Sequence, residues 1–173
     1  MKAHEEHRAR ARARLSFQLA TVSTSRFKKM KGGEKFDDAS GDLLEAGVRA
    51  ESHEIVRREL IPDDSSLIRS TLQTFLTGAA DVLVFTGGTG VSPTDVTIET
   101  VRPFLEKELP GFGEALRAES FKKIGGAAAL TRATAGTARG KLIVCLPGSP
   151  DAVDTALRIF LPELPHVVSI AKG

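Results

Sequence analysis

Val82-Leu-Val-Phe85 runs straight into Thr86-Gly-Gly-Thr-Gly90, and the order of these two pieces decides the fold. A short, unbroken apolar run with β-branched residues is what a strand covered on both faces requires, and such strands belong to parallel sheets flanked by helices. The glycines close the strand with a loop, and Thr94 or Asp95 is placed to cap a helix beginning Val96-Thr-Ile-Glu99. Strand, loop and helix therefore follow one another within a short stretch.

The same alternation continues in both directions. Upstream, Leu67, Ile68, Leu72, Phe75 and Leu76 recur at three- and four-residue steps, between a cap at Asp64 or Ser65 and a stop at Gly78. Before that helix, Leu15 to Ser23 reads as a strand entering an exposed basic loop, Arg26 to Lys35. Ser40 caps a short helix that Gly47 ends, and residues 51–60 form a second strand that Pro62 stops. Downstream, Pro103 interrupts the helix after Val96, Pro110-Gly-Phe-Gly113 punctuates, and Glu114 to Lys123 is helical. A short helical piece at Ala127 to Leu130 precedes two extended stretches around Arg139-Gly140, of which Lys141 to Leu146 is apolar enough to be central. Ser149 and Pro150 then open a helix whose apolar face is Val153, Ala156, Leu157, Phe160 and Leu161. The expected architecture is an α/β fold, a three-layer α/β/α sandwich with a mostly parallel central sheet and no internal repeat.

Composition sets the frame. A chain of 173 residues, 41% apolar and 5% aromatic, fits one compact domain at residues 15–173, preceded by a basic N-terminal extension at residues 1–14. In that extension Arg8, Arg10, Arg12 and Arg14 alternate with alanines, while the whole chain has a formal charge of only +2. It reads as a solubilising arm, so neither a nucleic acid nor a membrane is expected as partner. No apolar run reaches the roughly 20 residues of a membrane span, no signal peptide is recognisable, and a soluble cytoplasmic protein is expected. Cys145 is the only cysteine, which excludes an intrachain disulfide and a thiolate metal cluster; its apolar context makes it a small buried hydrophobe. His4, His7, His53 and His166 are scattered, and His4 with His7 alone is a weak metal signal.

In a parallel sheet the ligand sits beyond the carboxyl ends of the strands. Pro62-Asp63-Asp64, Thr86 to Asp95 and Pro147-Gly-Ser-Pro150 all fall at that edge. Glycines let backbone N–H groups approach an anion without a Cβ in the way, so the loop reads as a phosphate site. Its spacing matches neither a Walker loop nor the dinucleotide fingerprint. Asp95 could serve merely as a helix cap, contributing about 1 kcal/mol. Beside phosphates, however, a carboxylate is repelled unless a divalent cation lies between, which points to Mg²⁺, with Asp63 and Asp64 as further oxygen donors.

Leu60-Ile-Pro-Asp-Asp64, Thr86-Gly-Gly-Thr-Gly90 with Asp95-Val-Thr97, Pro110-Gly-Phe-Gly-Glu114 and Leu146-Pro-Gly-Ser-Pro150, in this order, resemble the MoaB/MogA family of molybdenum-cofactor proteins, shared with the gephyrin and plant Cnx G domains. The match spans nearly all of residues 15–173. The resemblance implies adenylyl transfer, in which molybdopterin and ATP give adenylyl-molybdopterin and pyrophosphate with Mg²⁺. It implies that Asp63 and Asp95 are the catalytic, metal-binding aspartates, and that Thr86, Gly87, Gly88, Thr89 and Gly90 accept phosphate, with Ser149 near the pterin. It further implies that Asp38, Ser40 and Gly41, of an Asp-x-Ser-Gly motif, lie near the nucleotide with Ser23 and Arg26. The sequence departs from the family at Val22-Ser-Thr-Ser-Arg26, where Ser-Asp-Ser/Thr is usual: Thr24 replaces a carboxylate. An alternative is a catalytically weak molybdopterin-binding assembly protein. A third, molybdate insertion, belongs to a branch that normally carries extra domains. Homo-oligomers, trimers or hexamers, are implied, as are other molybdenum-cofactor enzymes as partners.

Overall fold

The computed structural model describes residues 14–173, so the arginines up to Arg12 and the pair His4 and His7 lie outside the described residues. Six strands, β1 (Ser16–Val22), β2 (Glu54–Ile61), β3 (Val82–Thr86), β4 (Lys107–Glu108), β5 (Thr134–Ala138) and β6 (Lys141–Leu146), form one sheet in the order β2-β1-β3-β6-β5-β4. β2, β1, β3 and β6 run parallel; β5 pairs antiparallel with β6, and β4 antiparallel with β5.

The period-two geometry of a strand divides the core. Val82 and Val84 face one side with Phe17, Leu142 and Val144, whereas Leu83 and Phe85 face the other with Ile143 and Cys145. The first side is covered by α2 (Ala39–Ala50), α5 (Pro110–Ile124), α6 (Pro150–Phe160) and α7 (Leu164–Lys172), and the second by α3 (Ser65–Thr77) and α4 (Thr97–Val101). This is the expected three-layer sandwich. Cys145 is fully buried, and burial pushes its thiol well above the ordinary value, which fits the inert hydrophobe expected of it.

Asp64 accepts from the amides of Ser66 and Leu67 and so caps α3, and Ser149 caps α6 by accepting from Ala152. At the β5–β6 hairpin, Arg139 and Gly140 both take positive φ, 52° and 70°, as a two-residue turn between twisted strands requires.

Four local expectations need correction. The basic stretch after β1 is a loop only from residue 32 onward; before that it forms a helix, α1 (Thr24–Lys31), capped by Ser23, which has no buried residue and hence no apolar period to betray it. α2 is capped by Asp38 instead of Ser40 and continues through Gly47, whose missing Cβ serves packing instead of termination: a Cβ there would lie 2.5 Å from Leu157 Cδ1, where α2 meets α6. α5 starts at Pro110, its first helical residue, so the proline opens the helix that was placed after Gly113. α4 has no side-chain cap, since Asp95 turns back to accept from the amide of Ser92 at 2.9 Å. Strand β4 and helix α7 carried no local signal of comparable strength.

Candidate functional site

The strand order reverses between β1 and β3, and a crevice opens beyond their carboxyl ends at such a point. The loop after β3 is anchored there on both sides. Gly87 N–H donates to Leu146 O at 2.9 Å, Thr97 Oγ1 donates to Gly87 O at 2.9 Å, and Thr97 N–H donates to Gly88 O at 2.9 Å. The anchors depend on two glycines with φ of 99° and 61°: a Cβ on Gly87 would lie 2.3 Å from Val22 O, and one on Gly88 2.4 Å from Thr97 Oγ1. Held in this way, the amides of Gly88, Thr89 and Gly90 find no acceptor among the described residues. Backbone donors left over in a fixed concave loop constitute an anion site.

An open cavity of about 350 Å³ lies against them. Gly87 to Gly90 and Asp95 form one wall, Pro147, Gly148 and Ser149 a second, and Ala127, Leu130, Thr131 and Arg132 a third. Ser149 thus combines its capping role with a place at the cavity. Thr86, by contrast, is buried at the end of β3 and supports the loop from beneath.

Asp63 sits at the end of β2 and is half-buried. Its Oδ2 accepts from Thr24 N–H at 2.8 Å and from Thr24 Oγ1 at 2.7 Å, while its own N–H donates to Thr24 Oγ1 at 2.9 Å. Its Oδ1 faces the glycine loop, 2.8 Å from where a Cβ of Gly88 would stand. Asp95 approaches the same loop from the other end, with Oδ2 2.7 Å from the Cβ position of Gly90. In each carboxylate, Oδ1 accepts from none of the described residues.

Two carboxylates beside an anion loop, Asp63 facing it with a free Oδ1 and Asp95 with an Oδ2 that also accepts from Ser92 while its Oδ1 stays free, fit a divalent cation whose remaining ligands are water and phosphate oxygens, the usual habit of Mg²⁺. A closed protein cage is a different matter, since no group of three or more His, Cys, Asp or Glu side chains among the described residues could hold a metal by itself. Asp64, spent as the cap of α3, is not part of this arrangement.

The residues expected near a nucleotide are engaged differently. Asp38 is buried and accepts from Thr21 Oγ1 at 2.8 Å, Arg58 Nη2 at 2.9 Å and Gly41 N–H at 3.3 Å. Arg58 forks further to Asp42 and Glu45; desolvation lowers its pKa, and these hydrogen bonds more than reverse the effect. Gly41 makes room for this cluster, as a Cβ would lie 2.2 Å from Asp38 Oδ2. Ser40 Oγ donates to Gly148 O at 2.7 Å and ties the motif to the cavity wall. Ser23 caps α1, and Arg26 Nε donates to Asp37 O at 2.7 Å.

Two residues of the site escaped the sequence reading of individual positions. Arg132 Nη1 donates to Gly90 O at 2.7 Å while Nη2 pairs with Glu99, so it clamps the loop onto α4. Partial burial raises the Glu99 pKa, but Arg132 outweighs it and holds the carboxyl below its ordinary value. A lone arginine between a short helical piece and a strand gives no local signal of such a role. Thr97 closes the Asp95-Val-Thr97 stretch, and its spacing after the glycines is the available clue.

Residues 19–166 match the family model described as "Probable molybdopterin binding domain". The chain is 37% identical over 155 residues to the "Probable molybdopterin adenylyltransferase" of Methanocaldococcus jannaschii, covering 89% of this chain and 92% of that protein. It is 38% identical over 172 residues to the "Molybdopterin adenylyltransferase" of Pyrococcus furiosus, covering 97% and 98%. Among solved structures, the tungsten cofactor synthesizing protein MoaB from Pyrococcus furiosus superposes with a TM-score of 0.82 at 38% identity, covering 92% of this chain and 98% of that one. No helix among the described residues is long and apolar enough to cross a membrane.

Proposed function

The chain belongs to the molybdenum-cofactor biosynthesis family of molybdopterin-binding domains, and from that premise we propose that it is a molybdopterin adenylyltransferase, transferring AMP from ATP to molybdopterin. A terminal phosphate oxygen of molybdopterin attacks the α-phosphorus of ATP; as that P–O bond forms, the bond to the bridging oxygen of the β-phosphate breaks and pyrophosphate leaves. Both reactants are strongly anionic, so catalysis consists of aligning them and neutralising charge, and no protein nucleophile is required.

The observation that carries this reading is the meeting of unspent amides and two carboxylates at one glycine loop, with Asp95 on the cavity wall and Asp63 Oδ1 directed at Gly88 from the end of β2. The amides of Gly88, Thr89 and Gly90 orient phosphate oxygens, and Arg132 keeps the loop in place. Asp63 and Asp95 would hold Mg²⁺, which supplies charge neutralisation at the reacting phosphates when bound. We place the reaction in the cytoplasm and in a closed homo-oligomer, a trimer or hexamer that light scattering distinguishes, with the product passing to other molybdenum-cofactor enzymes.

Incubating the protein with molybdopterin, ATP and Mg²⁺ tests the reading: adenylyl-molybdopterin and pyrophosphate are expected. A second reading, a molybdopterin-binding assembly protein of low turnover, draws on Thr24 standing where the resemblance leads one to expect a carboxylate. Tight pterin binding without product, beside a relative that turns over, would decide for it.

A further inference from the structure

Thr24 does more than omit a carboxylate. Its N–H and hydroxyl both donate to one oxygen of Asp63, and its hydroxyl accepts from the Asp63 amide, so a closed set of three hydrogen bonds joins the two residues. The pairing is fixed from behind: Ser23 N–H donates to Ile61 O at 2.8 Å, and Ser23 caps the helix that Thr24 begins. Asp63 therefore cannot rotate its carboxylate without losing two donors at once. Oδ2 is saturated, and Oδ1 alone faces the glycine loop.

We propose that Thr24 is a positioning residue that restricts Asp63 to a single ligating oxygen and thereby makes the site favour a small octahedral cation, Mg²⁺, over Ca²⁺. The inference rests on the divalent-cation reading of the site given above. Its physical basis is the difference between the two ions: Ca²⁺ accepts bidentate carboxylates in a loose shell of six to eight oxygens, whereas Mg²⁺ demands near-ideal octahedral geometry with single-oxygen ligands. Replacing the Thr24 hydroxyl leaves Oδ2 with the Thr24 N–H alone, which opens one position on it for a bidentate contact and weakens the bias. Donors behind a metal ligand typically change affinity by about 10- to 100-fold when removed.

The full chain, saturated with a non-hydrolysable ATP analogue, is titrated with Mn²⁺ by electron paramagnetic resonance, and Mg²⁺ and Ca²⁺ are then competed against it. Wild type is expected to prefer Mg²⁺. Thr24→Val and Thr24→Ala should each lower the Mg²⁺ to Ca²⁺ affinity ratio by about tenfold, the lower end of that range, while Thr24→Ser restores it. A mere staple between β1 and β2 would lower the melting temperature and leave the ratio unchanged, so an unaltered ratio in both folded variants overturns the proposal. If wild type adds nothing to the Mn²⁺ binding of the nucleotide alone, the cation reading of Asp63 and Asp95 falls too. The two failures are thus distinguishable.

Discussion

The glycine loop after β3 and the Asp38–Arg58 cluster beside α2 stand at the same edge of the sheet, yet they use their polar groups in opposite ways. In the cluster every strong group is satisfied internally: Asp38 accepts from Thr21, Gly41 and Arg58, and Arg58 spends its fork on Asp38, Asp42 and Glu45. In the loop the polar groups that matter are left over, because Thr97, Leu146 and Arg132 hold the backbone by its carbonyls and by the Gly87 amide. Satisfied groups stabilise a fold, whereas donors kept unsatisfied by rigid surroundings are available to a ligand. Under the proposed function, chemistry belongs to the loop and cohesion to the cluster.

The largest effect expected from that division is on turnover. Asp63→Ala or Asp95→Ala should lower kcat by about 10²- to 10³-fold in the adenylylation assay; the thermal melt stays little changed in Asp95→Ala and falls in Asp63→Ala, where the Thr24 N–H and hydroxyl lose their acceptor. Unchanged turnover would remove the carboxylate from the machinery. Gly87→Ala brings a Cβ to 2.3 Å from Val22 O at a φ of 99°, and backbone cannot yield as a side chain can. A loss of at least about 2 kcal/mol in chemical denaturation is expected, together with loss of pterin binding. On the other side of the comparison, Asp38→Asn should reduce stability by about 2 kcal/mol through its hydrogen bond to the charged Arg58, leaving kcat/KM within about threefold. If ATP affinity drops instead and stability holds, Asp38 contacts the nucleotide as the resemblance implies, and the contrast collapses.

The smallest effect serves as a control at the opposite end of the sheet. His53 accepts from Leu15 N–H at 3.2 Å and stacks on Phe17, and burial lowers its pKa, a shift that nearby Glu51 opposes without cancelling. A depressed base binds fewer protons folded than unfolded, so stability is complete above the ordinary value of 6.5 and declines as pH falls from there toward the folded value. Melting temperature should therefore decline from pH 7 to 5, with a flatter profile in His53→Asn. An equally steep decline in that variant would assign the acid sensitivity elsewhere.

Legibility followed the range of the interactions responsible. β3, α3 and α6 were readable because apolar period, caps and stops all lie within the segment itself, with Asp64 and Ser149 found at the caps. α1 was not, since a helix without a buried face leaves no periodic trace, and its basic side chains suit a solvated loop equally well. Gly47 misled for a different reason: its smallness answers to Leu157 on another helix, a contact far away in sequence. The same holds at the site. Gly87 to Gly90 and Asp95 on the cavity wall stand out through local chemistry and motif order, whereas Arg132 and the Thr24–Asp63 pairing depend on contacts across 42 and 39 residues.

Cys145, sealed in the core beneath α3 and α4, has a practical bearing on how this molecule can be observed. Its thiol is both inaccessible and held in the unreactive protonated form, so a maleimide probe should pass it by. A single cysteine introduced on exposed Val91, at the outer rim of the loop, would then be the sole labelling position in the native protein. A fluorophore there would report ligand arrival directly, with no background thiol to engineer away.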